Sequence, residues 1–172
     1  MKMTKLFLLL ASIGVLAISS DRAASAGSAP ANLSVKATVV ANCSISTTPV
    51  SFVGYDPLGL NATAPLNAQG AVIIACTKGA TTHIGLDTGA NPGGSTGRQM
   101  VGGSPVSQLP YSLFKTSPGV GPWGNTDPTW LATPAPSNMS PISYPIYGQI
   151  PAAQNVSPGT DYADTVVATV NF

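Results

Sequence analysis

Apolar and polar residues alternate along much of this chain with the period of two that marks a strand buried on one face. The clearest run lies at the C-terminal end, where Tyr162, Val166, Ala168, Val170 and Phe172 share one face and Val167, Thr169 and Asn171 the other. Asp164 has the parity of the apolar row, which predicts either a bulge near Ala163 or a strand that enters the core only at Val166. Strands are predicted over Leu33–Ala41, Val50–Val53, Ala71–Thr77, Thr82–Asp87, Leu109–Lys115, Ile142–Ile150 and Thr165–Phe172. Turn-forming clusters such as Tyr55-Asp56-Pro57 and Asn91-Pro92-Gly93-Gly94 separate them. Ser117 to Ser140, rich in Pro and Gly and carrying Trp123 and Trp130, is predicted as a long surface connection.

No window sustains the three-and-four apolar spacing of a helix, so the fold class is all-β, and seven short strands suit an immunoglobulin-like sandwich. The last strand runs to Phe172 with no turn or polar tail behind it. Such a strand offers an unpaired edge that recruits another strand, although an ordinary strand of a complete domain has the same pattern.

Composition changes the picture mainly at the N-terminal end. Lys2 and Lys5 precede an apolar run from Leu6 to Ile18, followed by Ala24-Ser25-Ala26, the pattern of a secretory signal over residues 1–26. The run falls short of the roughly 20 apolar residues of a spanning helix, and the expectation is export with no stable membrane insertion. Beyond the signal, residues 27–41 form a leading segment and 42–172 one domain. The charges past the signal are Lys36, Lys78, Arg98 and Lys115 against Asp56, Asp87, Asp127, Asp161 and Asp164, with no Glu. That balance lacks the clustered cations of a nucleic-acid surface or a polybasic lipid anchor.

Candidate chemistry is sparse. Cys43 and Cys76 are the two cysteines, and in an oxidising compartment the pair predicts one disulfide. Two Cys and one His are too few for an ordinary zinc site, so no metal or cofactor is expected. The single histidine, His83, shares a strand side with Asp87 opposite Ile84 and Leu86, the pattern of a solvent-facing surface. No Ser lies in a Gly-x-Ser-x-Gly elbow, and Gly93, Gly94 and Gly97 lack the Gly-Lys-Ser/Thr ending of a phosphate loop. No catalytic residue is therefore assigned. Tyr162, after Pro158-Gly159, is placed either to hydrogen-bond back onto a sandwich corner or simply to pack. Trp123 and Trp130 fit either a ligand patch or a cover over the core.

Several fragments taken together carry a resemblance: SFVGYDP (Ser51–Pro57), PLNAQGAVIIACTKG (Pro65–Gly79), GRQM (Gly97–Met100), LPYSLF (Leu109–Phe114), Trp123-Gly124, and IYGQIPAAQNVSPGTDYADTVVATVNF (Ile146–Phe172). They resemble the spore coat protein U domain, the family that contains subunits of archaic chaperone-usher pili. The sequence departs from the family pattern at Val53 and Ala153, where Gly is commoner, and both fall in predicted turns.

The resemblance implies an incomplete immunoglobulin-like sandwich. The missing strand would come first from a periplasmic chaperone and then, after passage through an outer-membrane usher, from the N-terminal segment of another pilin subunit. The donor row would be Leu33, Val35, Ala37 and Val39, although the sequence does not divide the donor from the domain's own first strand. The strand held by the chaperone would be that of Val166, Ala168, Val170 and Phe172. The implied function is a structural subunit of a surface fibre supporting adhesion and biofilm formation. A self-contained secreted binding domain using the Trp-bearing loop, and a coat or envelope component, are the competing readings.

Overall fold

The computed structural model of the protein describes residues 26–93 and 97–172, so most of the signal read from the sequence lies outside the described residues. The chain divides into two units, Met1–Ala37 and Thr38–Phe172. Of the first, residues 26–37 carry no strand and are exposed throughout. The second unit is an all-β sandwich with ten strands among the described residues: β1 (Cys43–Thr48), β2 (Leu66–Cys76), β3 (Thr82–Leu86), β4 (Pro92–Gly93), β5 (Gly97–Gly102), β6 (Ser107–Ser117), β7 (Val120–Pro122), β8 (Leu131–Thr133), β9 (Ile142–Ile150) and β10 (Ala168–Asn171).

Seven strands form one sheet in the order β1-β2-β9-β6-β5-β4, with β7 also paired to β6, and three form a second sheet in the order β10-β3-β8. Every ladder is antiparallel. Alternate residues of the two sheets meet in one core: Val72 and Ile74 from β2, Leu109, Tyr111 and Leu113 from β6, and Ile146 and Ile150 from β9 face Ile84 and Leu86 from β3. The period of two places these side chains on one side of each strand, and on the other the residues between them, polar ones such as Ser112 and Gln149 together with apolar ones such as Ile73 and Phe114. The immunoglobulin-like architecture expected from the pattern is therefore present.

Two predicted strands are absent as strands. Leu33–Ala41 has strand periodicity but no ladder, and its large apolar side chains are exposed, with Leu33 at 86%, Val35 at 83% and Val39 at 82%. Alternation states which face a strand would bury; it does not supply the neighbour. Val50–Val53 also lacks a ladder, yet Val50 and Phe52 pack against the core while Ser51 and Val53 face solvent. The last strand is shorter than the predicted Thr165–Phe172, since its ladder with β3 begins at Ala168.

Conversely, β1 reads CSISTT, almost without apolar content, and is a strand because it pairs with β2 from Cys43↔Cys76 to Thr48↔Ala71. Cys43 and Cys76 are disulfide-bonded across this first pair, with Cα atoms 4.1 Å apart. The stretch 117–140 is no mere surface connection. It contributes β7, β8 and Trp123, which is 1% exposed and donates its indole N–H to the Ile84 carbonyl at 3.0 Å.

Candidate functional site

An apolar groove runs beside the last strand. It comprises two cavities, of about 520 Å³ and about 780 Å³, that share Val50, Phe52, Met100 and Tyr162. One wall is the stretch from Thr47 through Tyr55, and the other runs from Val156 to Ala168. Core side chains form the floor, among them Leu86, Leu109, Tyr111, Leu113, Ile146 and Ile150.

The first wall lies where two glycines let it settle. A Cβ on Gly148 would stand 2.5 Å from Val50 and 2.7 Å from Phe52, and one on Gly70 would stand 2.8 Å from Val50. These bare positions on β2 and β9 allow the segment after β1 to lie against the sheet, with the Phe52 ring centroid 6.4 Å from that of Tyr111. Farther along, the Tyr55 hydroxyl donates to the Pro151 carbonyl and accepts from the Gln154 amide, both at 2.8 Å. Ala153, in that same turn, adopts a left-handed conformation at φ 55° and donates its N–H to the Asn61 carbonyl at 2.8 Å.

Among the described residues, the second wall is a strand-like segment paired on one side. The Val167 carbonyl accepts from Asp87 N–H at 3.1 Å, the Thr165 carbonyl from Ala90 N–H at 2.9 Å, and Ala163 exchanges both backbone bonds with Val101 at 3.1 and 3.2 Å. Backbone groups of an extended chain alternate in direction, so those of Asp164, Val166 and Ala168 point the other way, toward the open side. The edge continues into β10, the outer strand of its sheet.

Asp164 does belong to the inward row, where three hydrogen bonds engage its carboxylate. The Tyr111 hydroxyl donates to Oδ2 at 2.6 Å, while the Asn91 backbone N–H and side-chain amide donate to Oδ1 at 3.0 and 3.1 Å. Burial, then the hydrogen bond to Asp164, drives the Tyr111 phenol well above its ordinary value. Arg98, 7% exposed, donates to the backbone carbonyls of Asp87, Leu86 and Trp123. Burial lowers its pKa, opposed by Tyr111, Asp87 and Asp164. The Asp87 carboxylate in turn accepts from the Val167 N–H at 2.9 Å. This polar cluster positions the second wall.

Of the residues assigned from sequence, Val166 and Ala168 line the groove. Val170 packs against the core beyond the groove, and Phe172 is 57% exposed. Leu33, Val35, Ala37 and Val39 are exposed on a segment without a ladder. Tyr162 donates its hydroxyl to the Ser157 carbonyl at 2.7 Å, closing the corner before the last strand. Trp130 stacks on His83 with ring centroids 4.1 Å apart. Sequence reading missed Met100 and Tyr111 as groove residues, and it had no signal for the pairing of Tyr111 with Asp164.

A family model described as the Spore Coat Protein U domain matches residues 29–169. The chain belongs to the Spore Coat Protein U domain family. Protein U of Myxococcus xanthus is 36% identical over 160 residues, which cover 87% of this chain and 88% of that protein. Among solved structures, the CsuC–CsuE chaperone–tip adhesion subunit pre-assembly complex from archaic chaperone-usher Csu pili of Acinetobacter baumannii matches with a TM-score of 0.55 at 22% identity. That match covers 78% of this chain and 41% of the solved chain, and it is a likeness of fold. The matched Protein U domain span starts at residue 29 and so takes in the exposed row from Leu33 to Val39.

Proposed function

We propose that this protein is a structural subunit of a bacterial chaperone-usher fibre, in which the groove receives the N-terminal segment of another subunit by donor-strand exchange. One observation carries the reading: an apolar groove with an unpaired strand edge occurs in the same chain as an exposed segment of alternating apolar residues. Each half has the feature the other lacks. Strand addition would satisfy the edge's backbone groups and bury Leu33, Val35 and Val39 together. Membership of the Protein U domain family and the fold shared with a chaperone-bound pilus subunit support it.

On this reading the signal directs export, the Cys43–Cys76 bond forms in the periplasm, a chaperone strand covers the groove, and an usher exchanges it for the next subunit's segment. Adhesion and biofilm formation are then properties of the polymer. The competing loop-based binding reading loses one of its two tryptophans, because Trp123 is buried in the core.

The test is co-expression of the full chain with its chaperone and usher, followed by gel analysis of surface material with and without heating. Val35→Asp together with Val39→Asp should leave the chaperone complex intact and abolish heat-dissociable multimers. Multimers that persist in this variant, or a stable wild-type monomer that never binds a chaperone, would overturn the reading.

A further inference from the structure

The groove is not uniformly apolar, and that irregularity carries information about how an occupant seats. Its inward row along the second wall reads Tyr162, Asp164, Val166, Ala168, with one carboxylate among side chains that offer apolar surface. The carboxylate needs nothing from an occupant, since Tyr111 and Asn91 already supply three hydrogen bonds. It is also boxed in, lying against the bare backbone of Gly89, where a Cβ would collide with Oδ2. A side chain seated beside it should therefore be small, because branched methyl groups would press on a charged group they cannot bond.

The exposed segment has a row of the same length, Leu33, Val35, Ala37, Val39, with one small residue in it. Resting on the donor-strand reading above, we infer that a second copy's segment enters antiparallel to the last strand in the register that sets Ala37 beside Asp164. Every ladder in the sandwich is antiparallel, and strand addition on this edge continues that arrangement. The same register sets Val35 beside Val166, the bulky Leu33 beside the small Ala168, and Val39 beside Tyr162. A slip of two residues places Val35 or Val39 on the carboxylate. A slip of one turns Ser34, Lys36 and Thr38 inward. Asp164 is thus a positioning residue that reads register by excluding bulk.

The outward-facing positions report the register without disturbing the core. In the inferred alignment Lys36 lies directly across from Thr165, while two-residue slips bring it to Ala163 or Val167. Three full-chain variants would be assembled with chaperone and usher and oxidised mildly: Lys36→Cys with Thr165→Cys, with Ala163→Cys, and with Val167→Cys. The Thr165→Cys pairing should give on the order of ten-fold more covalent multimer on non-reducing gels than either slipped pairing, because only directly opposed Cβ atoms reach disulfide distance. A ladder from Ala163→Cys or Val167→Cys instead would overturn the register and leave strand exchange standing. Heat-dissociable multimers with no covalent ladder in any variant would also overturn the register. Loss of every multimer, including in wild type, would remove the underlying reading as well.

Discussion

The Tyr111 hydroxyl and the Asp164 carboxylate, 53 residues apart in sequence, meet at 2.6 Å and fasten the last strand's approach to the middle of the large sheet. The bond joins β6, which contributes Tyr111 to the core, to a segment with only one paired side. Tyr111→Phe should cost about 1.5–3 kcal/mol, the usual worth of a hydrogen bond to a charged partner. Combined with Asp164→Asn in a double-mutant cycle, the coupling should fall within about 0.5–3 kcal/mol. Urea unfolding measures it; strict additivity would show that the contact does not hold the wall.

The same pair sets an alkaline limit. Tyr111's pKa is raised on folding, so the folded chain keeps a proton that the unfolded chain releases at about pH 10. Stability from this source is complete below that pH and declines as pH rises toward the folded value. Denaturation midpoints from about pH 8 to about pH 11 should fall more steeply in wild type than in Tyr111→Phe. Parallel slopes would exclude Tyr111 as the group responsible.

The two tryptophans should separate cleanly. Trp123 fills the core and bonds the Ile84 carbonyl, so Trp123→Ala should cost about 3–5 kcal/mol. Trp130 lies half-buried on His83, and Trp130→Ala should cost about 0.5–1.5 kcal/mol. Equal losses in urea midpoints would contradict the burial difference.

Ala153 occupies a left-handed conformation that costs a residue with a Cβ about 1–2 kcal/mol. Ala153→Gly relieves that strain at some cost in unfolded-chain entropy, for a net gain of about 0.5–1 kcal/mol. A raised thermal midpoint would confirm it, and a lowered one would mean that the Ala153 methyl packs usefully in the turn.

These residues also show what a single sequence reveals. β9 was legible to the residue, and β3 and β6 nearly so, because a core strand carries its own apolar alternation. β1 was not, since CSISTT has hardly any; its pairing with β2 and the Cys43–Cys76 bond decide its conformation. Leu33–Ala41 shows the reverse case, a strand pattern with no ladder. Val166 and Ala168 could be assigned to a buried face from parity, but the opposite wall at Val50 and Phe52 depends on bare backbone at Gly70 and Gly148, distant in sequence. Asp164 looked misplaced because its partners, Tyr111 and Asn91, are invisible to any local window.

The disulfide across the first residue pair of β1 has a mechanical consequence. A pull on the residues before Cys43 enters the domain at a covalent cross-link, so the load passes into β2 and the central ladder at once. β1 cannot be unzipped from that end. If such chains are linked end to end by their leading segments, the tether of each link is anchored where tearing would otherwise begin.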